Sequence, residues 1–187
     1  LGILGKTEPG ATSLEAGAAE PPADMASADW LHRYVEASRL TFADRAQYLA
    51  DPDFVAAPGG HWASLLDPAY LAARSRLIGE MAMPDAPAGT PGAMKTSYAP
   101  MPDQPEYGTS HISIIDANGQ AVAMTTTIED AFGARQMVKG FLLNNELTDF
   151  SFAPKAADGS PIANRVEPGK RPRSSMAPTL VDRKSVV

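Results

Sequence analysis

Gly108-Thr109-Ser110-His111-Ile112-Ser113-Ile114-Ile115-Asp116 marks the point where a proline-laden segment gives way to strand-like sequence. Ile112 and Ile114 alternate with polar neighbours, Asp116-Ala117-Asn118-Gly119 has the composition of a tight turn, and Ala121-Val122-Ala123-Met124-Thr125-Thr126-Thr127 follows. The pattern predicts two antiparallel strands, rich in β-branched residues. The Asp-x-Asn-Gly turn lacks the further spaced oxygen ligands and the distal glutamate of a calcium loop, so it reads as a plain hairpin.

A threonine at the head of such a strand, behind a small residue, admits two readings. One is an ordinary junction of loop and strand. The other is a self-cleavage site. A neutral hydroxyl is a poor nucleophile and needs a base within hydrogen-bond reach, which an α-amine freed on the same residue supplies. That amine titrates at roughly 7.7 to 8.0, near working pH. Gly108 offers an unhindered carbonyl, and the chain before it is loose enough to strain and leave. His111 shares a strand face with Thr109 and invites a Thr-His dyad, but it reads as structural because the amine already fills the base role. His32 and His61 have no paired ligand spacing.

Upstream, residues 9 to 26 read as a surface connection rich in alanine, glycine, proline and acidic residues. Ser27 is expected to cap a helix with an apolar stripe of Trp30, Leu31, Tyr34, Val35, Ser38, Phe42 and Leu49 that stops at Asp51-Pro52. Asp67-Pro68 predicts a second helix, with Tyr70, Leu71, Leu77, Ile78 and Met81 facing inward. Between Pro84 and Pro105 six prolines and two glycines predict an extended, exposed segment. Downstream, Gly140 to Leu147 reads as a third strand ending in polar residues, and Pro154 to Pro161 as a loop. Pro168 to Pro178 reads as a rigid, irregular stretch carrying Ser174-Ser175. The opening Leu1 to Lys6 looks like the tail of a helix and Leu180 to Val187 like a strand getting under way, which suggests an internal fragment.

With 187 residues, 44% of them hydrophobic, the chain can bury one core or parts of two. A formal net charge of −6, with Lys170-Arg171-Pro172-Arg173 as the one basic cluster, argues against a nucleic-acid partner. The absence of cysteine excludes disulfides, thiolate metal sites and cysteine nucleophiles. No apolar run approaches bilayer length, so no membrane partner is expected.

Thr109-Ser110-His111 with its hairpin, Phe132-Gly133, Asn144-Asn145-Glu146-Leu147-Thr148-Asp149-Phe150 and Gly169-Lys170-Arg171-Pro172-Arg173-Ser174-Ser175-Met176-Ala177-Pro178-Thr179 occur in one order. Together with Ala43-Asp44-Arg45-Ala46-Gln47-Tyr48-Leu49-Ala50-Asp51-Pro52-Asp53-Phe54 upstream, they resemble the γ-glutamyltransferase (glutathione hydrolase) family, across nearly the whole chain. The resemblance implies an α+β chain forming part of the four-layer αββα sandwich of N-terminal nucleophile hydrolases. It implies one precursor that cuts itself, with residues 1–108 ending the large subunit and 109–187 beginning the small one.

By the same resemblance, Thr109 attacks first Gly108 and later a γ-glutamyl amide, and Thr127 orients it. Glu146 and Asp149 accept from the substrate's α-ammonium, and Ser174 and Ser175 donate to its α-carboxylate. Glu129 stands where many members carry an asparagine that helps bind that carboxylate, and would repel it unless protonated or paired, for instance with an arginine. The family's carboxylate-binding arginine is expected upstream of residue 1 and its oxyanion glycine pair beyond residue 187, so the fragment alone is expected to be inert. No metal or organic cofactor is implied. The implied partners are glutathione or another γ-glutamyl compound, an amino-acid or peptide acceptor, and the two subunits of one precursor, in a periplasmic or extracellular compartment. Two alternatives stay open: a relative cleaving another acyl amide, of cephalosporin or poly-γ-glutamate type, and a non-catalytic remnant of the fold.

Overall fold

The computed structural model of the chain describes residues 2–6, 27–93, 96–182 and 185–186. The connection expected over residues 9 to 26 lies outside the described residues. Leu4–Lys6 forms a single 3₁₀ turn. Helix α1 runs Ala28–Tyr48, and Ser27 caps it by accepting a hydrogen bond from Trp30 N at 3.1 Å. Helix α2 runs Pro68–Ser75, with the Asp67 carboxylate accepting from Ala69 N and Tyr70 N and proline in the first turn.

The buried face of α1 differs from the stripe expected of it. Leu31, Tyr34, Val35 and Phe42 are exposed, while Glu36, Ala37, Leu40, Asp44, Gln47 and Tyr48 are buried. Leu40 and Ala37 pack with Ile3, Leu71, Ile78 and Met83. The charges beside them are tolerable because each is matched. Glu36 accepts from Arg39 Nη1 (2.9 Å) and Met83 N (2.9 Å), and Asp44 accepts from Tyr70 Oη (2.8 Å) and Gly89 N (2.7 Å) and pairs with Arg74 (3.0 Å). Apolar spacing alone therefore selects the wrong face, because the true one buries carboxylates. Likewise α2 ends at Ser75, so Leu77 and Met81 lie beyond it, exposed, while Tyr70 and Leu71 turn inward.

The proline-rich segment is irregular as expected, apart from a 3₁₀ turn at Pro91–Ala93, but it is not wholly exposed. Pro91 and Met101 are buried, Met101 N donates to Ala46 O (2.9 Å), and Ala99 bridges to Ile162. Met101, Phe150, Ile162 and Ala163 are buried where chain from both sides of Thr109 meets. A further cross-link is polar. Asp51, expected only to stop a helix that in fact ends at Tyr48, receives Arg171 N (2.8 Å), Nε (3.0 Å) and Nη2 (2.6 Å), and Asp53 also accepts from Nη2 (2.6 Å). This bidentate grip holds the Asp51 carboxyl well below the usual carboxylate range, the side-chain hydrogen bond from Arg171 being the main cause.

Strands β1 (Ser110–Ile115) and β2 (Ala121–Thr126) form the expected hairpin, with Ser110 opposite Thr126 and Ile115 opposite Ala121. Asp116 Oδ1 accepts from Asn118 N and Gln120 N, and Gly119 takes the left-handed conformation (φ 82°). The third strand-like run is shorter than expected: β4 is only Phe141–Leu142, paired with β3 (Met137–Val138), and Glu146–Asp149 is a 3₁₀ turn rather than a strand end. Residues 170–180 form no regular element, and Val181–Asp182 (β5) pairs with Ser185–Val186 (β6). The mixture of helices and short strands is α+β.

Candidate active site

The β1–β2 ladder, continued one pair past its last bridge, sets Thr109 opposite Thr127, on the face that also carries His111 and Thr125. These four side chains line one cavity of about 380 Å³, together with Glu129, Glu146, Asp149, Ser174 and Ser175. Thus seven of the eight residues given a role at the site from sequence, on four separate stretches, converge. Gly108 is not among the cavity walls, and a Cβ added there would meet nothing within 4 Å.

Thr127 Oγ1 accepts from Glu129 N (2.8 Å), which leaves its own proton available to a neighbour across the ladder. His111 is engaged at both ring nitrogens, with Thr125 Oγ1 at 2.8 Å and Ser113 Oγ at 3.0 Å, in keeping with a structural histidine. Glu129 is held in a left-handed backbone conformation (φ 74°), uncommon for a residue with a side chain. Its carboxylate is nearly buried and takes a hydrogen bond from Asn145 Nδ2, so its partner is an amide and not an arginine. Asn145 also accepts from Asp130 N (3.0 Å) and donates to Thr148 Oγ1 (3.1 Å). Two residues before Asn145, the Leu143 carbonyl oxygen lies so near Gly133, where φ is 51°, that a Cβ there would collide with it.

The acidic end of the cavity is electrostatically loaded. Burial pushes both the Glu146 and Asp149 carboxyls upward; the negative charges of Asp149 and Glu129 add to the rise at Glu146, and that of Glu129 to the rise at Asp149. Such a cluster suits a cation, which relieves the mutual repulsion. The other wall is built from the stretch after Arg171. Buried Asn164 donates to Asp149 O (2.7 Å) and accepts from Arg173 N (3.1 Å), tying the acidic turn to the residue before Ser174. Ser174 Oγ accepts from Met176 N (3.1 Å), bending the backbone so that both serines face the cavity.

Sequence reasoning gave no role to Asn164, nor to Asn145, Arg45 and Arg173, which it quoted only within longer motifs. Arg45 and Arg173 also line the cavity, yet nothing in the local sequence of any of the four announces its distant partner. The basic cluster proves fully engaged: Lys170 Nζ donates to Ala163 O (2.7 Å) and pairs with Glu167 (2.9 Å), Arg171 grips Asp51, and Arg173 pairs with Glu106.

Over 94% of its length the chain shares its fold with the cephalosporin acylase from Bacillus halodurans (TM-score 0.61, 22% identity, 27% of that chain). That likeness shows an α+β fold. A family model described as Gamma-glutamyltranspeptidase matches residues 15–187. The chain is 40% identical over 166 residues to a glutathione hydrolase proenzyme of Pseudomonas aeruginosa, covering 86% of this chain and 27% of that protein. It is 39% identical over 167 residues to the glutathione hydrolase proenzyme of Bacillus subtilis, covering 84% and 27%. The chain belongs to the γ-glutamyltranspeptidase family. It spans about a quarter of the length of these relatives.

Proposed function

We propose that the parent protein is a self-processing threonine amidohydrolase and acyltransferase acting on γ-glutamyl amides. The observation that carries this is the hairpin register, which sets Thr109 against Thr127 in the cavity that also holds the carboxylates and the serine pair. In maturation, Thr109 Oγ attacks the Gly108 carbonyl carbon. The C–N bond breaks, its nitrogen takes the hydroxyl proton and becomes the α-amine, and water hydrolyses the resulting ester. Residues 1–108 then end one subunit and 109–187 begin the other, each forming part of a four-layer αββα sandwich.

In turnover, the freed α-amine accepts the Thr109 hydroxyl proton as Oγ attacks the γ-carbonyl carbon of substrate, and returns it to the leaving amine. Thr127 orients Oγ by donating to it. Water or an amino-acid or peptide amine then resolves the γ-glutamyl ester on Thr109. Glu146 and Asp149 hold the α-ammonium, while Ser174 and Ser175 donate to the α-carboxylate.

The engaged Glu129 carboxylate bears on which acyl group fits. Three carboxylates at one end of the cavity favour an acyl group with an ammonium and disfavour a glutaryl group, which lacks one. That supports γ-glutamyl compounds, glutathione among them, over a cephalosporin-type side chain. Turnover of γ-glutamyl-p-nitroanilide and glutaryl-p-nitroanilide by the full-length protein tests the reading. A preference for the γ-glutamyl compound of at least about tenfold is expected from one charge-assisted contact, and equal or reversed preference contradicts it.

A further inference from the structure

The segment entering Thr109 is not the loose leader that its prolines suggest. Gln104 Nε2 donates to Thr148 O (2.9 Å) and Phe150 O (3.0 Å), and its Oε1 accepts from Phe152 N (3.1 Å). Two residues on, Glu106 Oε1 lies between two guanidinium groups, with Arg45 Nη1 at 3.0 Å and Arg173 Nη2 at 3.4 Å. Both arginine side chains are largely buried, whereas that of Glu106 is half exposed. Arg45 belongs to α1, and Arg173 directly precedes the serine pair. One carboxylate thus joins a helix, the serine stretch and the chain about to be cut.

Beyond this clamp only Tyr107 and Gly108 separate Glu106 from Thr109. Thr109 is fixed from the other side, because the residue after it begins the β1 ladder. The three peptide units from the Glu106 Cα to the Thr109 Cα reach at most about 11 Å. The Gly108–Thr109 bond is therefore strung between two anchors, and Gly108, where an added Cβ would meet nothing within 4 Å, is a pivot between them. Holding a carbonyl near an attacking oxygen removes the search that otherwise slows an intramolecular reaction.

We propose that Glu106 is a positioning residue for maturation, holding the Gly108 carbonyl in front of the Thr109 hydroxyl through Arg45 and Arg173, and that this role ends once the bond is cut. The inference rests on the reading of Gly108–Thr109 as the cleavage site. Glu106 lines the cavity together with Arg45 and Arg173, so its loss is expected to reach the turnover of external substrate as well, but less than it reaches maturation.

The test uses the full-length precursor, followed by intact mass as it converts into two pieces. Glu106→Ala is expected to slow conversion at least tenfold. Once matured and titrated for active sites, it is expected to lose at least about threefold less in kcat/KM for γ-glutamyl-p-nitroanilide than it loses in conversion rate. Added acetate separates tethering from simple charge balance, since it can sit between the arginines but cannot hold the segment. It is expected to leave the slow conversion slow, and restoration by acetate overturns the proposal. Conversion of Glu106→Ala at the unaltered rate, or an equal loss in turnover, also overturns it. Should Glu106→Ala fail to fold, Glu106→Gln, which keeps the shape but loses the charge, is expected to slow conversion at least threefold, and no slowing overturns the proposal. Thr109→Ala run alongside separates the two ideas: if it still converts, the cleavage-site reading fails, whereas if it stays whole while Glu106→Ala converts normally, only the present inference fails.

Discussion

The two sides of the site are built in opposite ways. The helical region before Thr109 is organised around Leu40, which is fully buried, and the carboxylates packed beside it are paired, as Asp44 is with Arg74 and Tyr70. The hairpin after Thr109 is a ladder with little on either face: Ile114 is 55% exposed and Ile115 77%. Among the described residues, none of the hairpin belongs to the cluster around Leu40. The links across position 109 are instead the Met101 and Phe150 contacts, the Asp51–Arg171 grip and the Glu106 clamp. An isolated two-stranded ladder is marginal in water, so within this chain, which spans about a quarter of its relatives' length, the order of the hairpin that follows Thr109 depends on these links.

The contrast is broken most directly by paired truncations within this chain. Leu40→Ala is expected to lose about 2–5 kcal/mol of stability through the cavity it leaves, whereas Ile114→Ala is expected to lose no more than about 0.5 kcal/mol, as exposed sites do. Urea unfolding of the two variants measures the gap, and equal losses would mean that the hairpin is packed after all.

A second effect sharpens the acidic side of the cavity. Glu146→Gln in the full-length protein is expected to raise KM for γ-glutamyl-p-nitroanilide by about 10- to 100-fold, the worth of a hydrogen bond to a charged group. Because the Glu146 and Asp149 carboxyls titrate above their ordinary values, KM for the unaltered protein is expected to rise as pH falls through that raised range, and Glu146→Gln to flatten the rise. Steady-state kinetics from pH 8 downward provide the check.

The smallest effect concerns the link between the two sides. The Asp51 pKa is depressed in the folded chain, so its stabilising contribution is fully present above the unfolded value of roughly 3.9 and is lost as pH falls through the folded value. The stability difference between the unaltered chain and Asp51→Asn is therefore expected to be constant above about pH 5 and to shrink below it, as read from acid unfolding. A difference that grows on acidification contradicts this assignment.

Local signals read from the sequence hold where the physics is local. Ser27 and Asp67 cap helices because their oxygens meet nearby amide groups, and Asp116 to Gly119 turns because aspartate and glycine satisfy that turn themselves. The convergence of Thr109, Thr127, Glu129, Glu146, Asp149, Ser174 and Ser175 was legible only through the ordered set of motifs. What stayed hidden is long-range. Periodicity could not reveal that α1 buries Glu36 and Asp44, since their partners Met83, Arg74 and Gly89 lie 30 to 47 residues away. The same holds for Asn164, which joins Asp149 to Arg173, and for Glu106, whose arginines sit 61 residues before it and 67 after.

The most direct test of the central claim is the mass and N-terminal residue of the full-length protein, with and without Thr109→Ala. The account predicts two pieces for the unaltered protein, the second beginning at Thr109, and one uncut chain without γ-glutamyl turnover for the variant. Two pieces from the variant, or an unaltered protein that cleaves γ-glutamyl amides while remaining a single chain, would contradict it.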